Sequence, residues 1–183
     1  MDEEPLPPVL RLQLDCDERL SGRDIGDLIA TLTEAYEAFQ EVVTKPDPPP
    51  GRLVVWNIRS GSLYADFVVV GTITTALVSF AELRSIMSGF IIRIREVIQI
   101  LGGADIGGVT DKERDFVESM VEIVLRGRVK NVYITLHGDN AHYIGISADL
   151  AKAIEHGITI NFGGMHRKRG REKQARKKLR KGG

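Results

Sequence analysis

Apolar residues recur through residues 73–101 at alternating steps of three and four: Ile73, Ala76, Phe80, Leu83, Met87, Phe90, Ile94, Val97 and Leu101. Four heptads of this pattern demand a long amphipathic helix, because only a helical period brings those positions onto one face. Leu77, Ile91 and Ile98 widen the stripe beyond the seam of a two-stranded coiled coil. A face this apolar must be covered. At ~1.5 Å per residue the helix would run roughly 40 Å, more than a small sheet usually spans. Its far end, Met87, Phe90, Ile94 and Ile98, is therefore expected to meet a second copy and form a homo-oligomer interface.

The rest of the chain alternates between two periodicities. Leu10, Leu12 and Leu14 alternate with Arg11 and Gln13, the signature of a half-buried strand. Ser21 stands three residues before Asp24, a capping-box-like start to a helix whose apolar face is Ile25, Leu28, Ile29, Leu32, Ala35, Tyr36, Phe39 and Val43. Pro46 to Pro50 end it. Leu53–Ile58 and Leu63–Val70, joined by Arg59-Ser60-Gly61-Ser62, read as a hairpin. Beyond the long helix, Gly102 to Gly108 mark a break. Thr110 and Glu113 form a second capping pair. Val132, Ile134 and Leu136 begin another hairpin, with Gly138-Asp139-Asn140 as its turn and Tyr143–Ile146 as its return. Ser147 or Asp149 starts a short helix that Gly157 stops, and Ile158–Phe162 reads as a last strand.

The order is β-α-β-β-α-α-β-β-α-β. Strand pairs joined by tight turns predict a mostly antiparallel sheet and an α+β fold. Residues 1–165 are expected to form a single domain, followed by a disordered basic tail at 166–183.

Charge supports that division. The chain has 25 basic and 25 acidic residues, yet Arg167, Lys168, Arg169, Arg171, Lys173, Arg176, Lys177, Lys178, Arg180 and Lys181 crowd its end. Glu172 is the single acid among them, so the tail carries +9 and the remainder −9. Clustered Arg and Lys neutralise phosphates and release counterions, which makes these ten residues the candidate nucleic-acid contact. An acidic protein surface would suit them too. The tail has no aromatic residue to stack on bases, so it is not expected to read sequence.

Cys16 is the only cysteine, which excludes an internal disulfide and fits a reducing compartment. The acidic, proline-rich start lacks the form of a signal peptide. The longest uncharged run, Phe67 to Ala81, is too short to span a membrane. A cytoplasmic protein is expected.

Chemistry is sparsely signalled. Asp15 and Asp17 resemble a phosphatase motif only locally, because Arg11 and Gln13 give the preceding strand a solvated face. His137, Asp139 and His142 are the most ligand-like group; imidazole with carboxylate suits zinc or manganese. The same Gly-Asp-Asn is what a tight turn requires for backbone reasons. No residue pattern calls for a cofactor.

Val54-Val55-Trp56-Asn57-Ile58-Arg59-Ser60-Gly61-Ser62-Leu63, followed by a long amphipathic helix, resembles a pattern in uncharacterised bacterial proteins, some from mobile-element or antiphage settings. The resemblance covers residues 9–101. It implies a bacterial binding or adaptor module and carries no catalytic residue.

These readings converge on a binding or scaffolding module that self-associates through its long helix and contacts nucleic acid or an acidic partner through its tail. The alternative is a small metal-dependent hydrolase or nuclease using His137, Asp139 and His142. Refolding of Phe67–Leu101 onto a membrane is opposed by Arg84, Arg93, Arg95 and Glu96.

Overall fold

The computed structural model describes residues 8–16, 20–43, 51–59, 63–70, 80–103, 108–137 and 139–157, excluding the side chains of Val43 and of residues 139–142. Along the chain run β1 (Leu10–Asp15), α1 (Gly22–Val43), β2 (Arg52–Arg59), β3 (Leu63–Val70), α2 (Phe80–Leu101), α3 (Asp111–Leu125), β4 (Asn131–Leu136), β5 (Asp139–Ser147) and α4 (Ala148–Glu155). This is the expected α+β order. The expected last strand, Ile158–Phe162, the first turns of the long helix at 73–79 and the tail at 166–183 lie outside the described residues.

The strands form one sheet in the order β2-β3-β1-β4-β5. Every neighbouring pair is antiparallel. Its first four strands have the order of a split β-α-β unit: β1 and β2 are joined through α1, with β3 inserted between them. The β4–β5 hairpin extends that sheet at one side. Asp139 pairs with Leu136, so β5 begins at Asp139. Asp139 and Asn140 are strand residues, where the sequence suggested a turn.

Alternation along β1 decides which face is buried. Leu10, Leu12 and Leu14 are essentially inaccessible, and Ala65, Phe67, Val132, Ile134, Ile144 and Ile146 share their side of the sheet. The helices cover that side. Leu28, Leu32, Tyr36 and Phe39 of α1 join Phe116, Val117 and Met120 of α3 in a single cluster with the strands. Phe90 lies at the centre of the aromatic contacts, edge-on to Tyr36 at 5.2 Å and to Phe39 at 5.6 Å. A Cβ on Gly89 would stand 3.3 Å from Phe39 Cζ, so glycine there permits the close approach of α2 to α1.

The caps behave as the sequence anticipates. Ser21 Oγ accepts from the Asp24 amide at 3.1 Å. Thr110 and Glu113 form a complete capping box, and Ser147 caps α4. Gly157, at φ 64°, follows α4 in the left-handed conformation that suits a helix stop.

The fate of α2 differs from expectation. Its buried stripe is Met87, Phe90, Ile91, Ile94, Val97 and Ile98. Met87, Phe90, Ile94 and Ile98 are each 0% exposed, packed within the chain's own core. They have no surface left for a second copy, so the expected oligomer interface at these four residues gives way. The end of α2 that reaches solvent is the opposite one, where Phe80, Arg84 and Ser85 are exposed. The stripe is covered because α1, α3 and α4 pack on this helix as well as the sheet.

Candidate functional site: the polar face of the sheet

Opposite the helices, the sheet presents the other half of each alternation. The register sets Gln13 between Tyr64 on β3 and Tyr133 on β4. One step along, Arg11 lies between Asp66 and Thr135, and Thr135 opposes Tyr143 on β5. Strands about 4.8 Å apart place Tyr64 and Tyr133 roughly 10 Å from each other, with Tyr143 diagonal to Tyr133. None of these residues belongs to the apolar cluster under the helices. Tyr143 is exposed, while Tyr64, Gln13, Tyr133 and Thr135 are half-buried.

Arg11 anchors this face. Its Nε donates to Asp66 Oδ1 at 2.6 Å and its Nη2 to Oδ2 at 3.0 Å, a two-pronged pairing that fixes the guanidinium plane. The hydrogen bond to Asp66 raises the Arg11 pKa, against the pull of burial. The Arg11 guanidinium carbon also lies 5.5 Å from the centre of the Tyr64 ring, within cation–π range. Tyr133 is held differently. Its Cδ1 and Cε1 are 3.0 Å from where a Cβ on Gly145 would stand, so the ring rests over a glycine that leaves room for it.

Charge distinguishes the two faces. α1 carries five acids against Arg23, and α3 five acids against two bases. The five strands hold three arginines and three aspartates, and one of those aspartates is neutralised by Arg11. A polyanion is repelled from α1 and α3 and meets no such barrier on the sheet.

The residues singled out from sequence are distributed unevenly. His137 is exposed at the end of β4; its amide donates to Val9 O at 2.8 Å and its carbonyl accepts from Arg84 Nη2 at 3.2 Å. The side chains of Asp139 and His142 lie outside the described residues, as do all ten basic tail residues from Arg167 to Lys181. Among the described residues, no three His, Cys, Asp or Glu side chains are grouped to hold a metal ion. Asp15 accepts from Asn131 Nδ2 at 3.1 Å. No described helix is long and apolar enough to cross a membrane.

Sequence reasoning passed over Asp66, although a lone acid inside Leu63–Val70 signals a buried partner. It also missed the tyrosines, whose grouping depends on strand order. A second candidate, the cleft of about 290 Å³ beside Phe39, Ile92 and Arg93, contains the buried Glu113. Glu113 already accepts from Arg93 Nε at 2.8 Å and from the Thr110 amide at 2.9 Å. That charge is satisfied, and it ties the start of α3 to α2. No family model, curated protein or solved structure matches the chain.

Proposed function

We propose that the chain is a binding module that holds single-stranded nucleic acid across the polar face of its sheet, with the basic C-terminal residues gripping the phosphates. The observation that carries this reading is the row of Tyr64, Tyr133 and Tyr143 beside Arg11, on a face that lies outside the core cluster of the described helices. Aromatic rings on such a face are an established means of holding unpaired bases, and each stacked base is worth ~1–3 kcal/mol. The tail supplies what the sheet lacks, a dense positive charge. The sheet supplies what the tail lacks, aromatic surface. Unpaired bases can reach the rings and a duplex cannot, so single strands are the favoured ligand.

Fluorescence anisotropy with labelled single- and double-stranded oligonucleotides tests the reading. The full chain is compared with a variant whose ten tail Arg and Lys residues are changed to Ser. Expected is a preference of at least ~10-fold for single strands that survives, at weaker absolute affinity, in the tail variant. Equal binding of both forms, abolished by the tail changes, would leave the tail alone as a phosphate clamp and remove the sheet from the account.

A further inference from the structure

Among the described residues the sheet ends at β5 on one side and at β2 on the other, and the two edges differ. At β5, Arg95 of α2 donates to the carbonyl of Tyr143 at 2.9 Å, so a helix side chain engages that side of the sheet. At β2, six of the eight residues are exposed, while Leu53 is buried in the core and Asn57 is half-buried. Trp56, the only tryptophan of the chain, is 74% exposed and Ile58 52%, with Val54 and Val55 beside them. The register passes from Val55–Phe67 to Asn57–Asp66, which makes Trp56 the extra residue of a β-bulge. Exposed Arg52 and Arg59 bracket this apolar stretch, roughly 23 Å apart at strand rise.

An edge strand with exposed apolar side chains is a template for another strand, and tryptophan is among the residue types enriched at the energetic centres of protein interfaces. We infer that β2 docks an extended segment of a partner protein, apolar in its middle and acidic at both ends, with Trp56 as the anchor. The bracketing arginines decide the occupant. A second copy paired antiparallel, with matching faces on the same side, would set Leu53 against Ile58, Val54 against Asn57 and Arg52 against Arg59. Like charges directly opposite each other disfavour that arrangement, whereas carboxylates at those positions pair with Arg59 and with Arg52, whose 3.6 Å contact to Glu37 of α1 is open to solvent. The bulge also splits the edge into Arg52–Val55 and Asn57–Arg59, which suits a short segment better than a long flat strand. The docked segment runs along the outer edge of β2 and the row of tyrosines begins on β3, the two meeting where Arg59 pairs with Tyr64; the peptide test is run without nucleic acid, so it stands or falls independently of nucleic-acid binding.

The test uses the full chain and a synthetic capped peptide, Glu-Val-Thr-Ile-Ser-Val-Thr-Glu, with a lysine-ended counterpart. Trp56 fluorescence is the readout, being the only tryptophan signal. A saturable blue shift with the glutamate-ended peptide, at least ~10-fold weaker with the lysine-ended one, is expected. The Arg52→Glu/Arg59→Glu variant is expected to reverse that preference. Three outcomes would overturn the inference: unchanged emission with both peptides, equal affinity for the two, or a concentration-dependent blue shift without peptide accompanied by a dimer mass.

Discussion

Tyr133 lies over Gly145, with two ring carbons 3.0 Å from the position a Cβ would occupy, so the ring's placement on the sheet depends on the glycine's missing side chain. Gly145→Ala puts a methyl group into that contact and forces the ring to shift by a few tenths of an ångström. Overpacking of this kind costs about 1 kcal/mol at a partly exposed site. Single-strand affinity is expected to fall several-fold and the urea unfolding midpoint by roughly 0.5 M. Anisotropy and urea denaturation on the same variant check both halves.

The Arg11–Asp66 pair makes a sharper stability prediction. Asp66 is nearly inaccessible and Arg11 keeps a quarter of its side-chain surface, so removing the acid leaves a half-buried cation without its partner. Asp66→Ala is expected to cost about 2 kcal/mol, below the range for fully buried pairs because water still reaches Arg11. Arg11→Met/Asp66→Leu is expected to recover most of that loss, since an apolar pair needs no desolvated charge. A double-mutant cycle in urea measures the difference.

Phe90 separates an internal core helix from an intermolecular one. Phe90→Ala removes the ring that both Tyr36 and Phe39 meet edge-on and is expected to destabilise the chain by about 3–5 kcal/mol. Light scattering of the parent and the folded fraction of the variant is expected to give the same mass.

Tyr36 gives the chain an alkaline limit. Burial pushes its phenol up to about 12 from 10.0, with Gln40 pulling the other way. The folded state therefore favours the neutral phenol. The resulting stability is fully present below pH 10 and is lost as pH rises through about 12. The contribution is on the order of 2–3 kcal/mol. Tyr36→Phe, which cannot ionise, is expected to flatten that part of the stability profile when urea midpoints are compared across the window.

Much of this architecture was legible because the chain's local signals agree with one another. Leu10, Leu12 and Leu14 declared a one-sided strand, and the pairs at Ser21/Asp24 and Thr110/Glu113 marked helix starts that the hydrogen bonds bear out. Residues whose meaning depends on tertiary neighbours were harder to read. The stripe through Met87, Phe90, Ile94 and Ile98 looks alike whether its cover is a second copy or three helices of the same chain. Tyr64, Tyr133 and Tyr143 are separate residues in sequence, and only the order β3-β1-β4-β5 brings them onto one stretch of the sheet. Trp56 gave no sign of its exposure, because the bulge that displaces it arises from pairing with β3.

The row of tyrosines is tested most directly by a salt titration of single-stranded oligonucleotide binding, comparing the parent with Tyr64→Ala/Tyr133→Ala/Tyr143→Ala. Phosphate contacts set the slope of log affinity against log salt, whereas stacking sets the affinity that remains when salt has screened them. Parallel lines are expected, with the variant weaker by at least ~100-fold at every salt concentration. Coincident lines would contradict the proposed stacking, leaving the sheet face without a part in nucleic-acid binding.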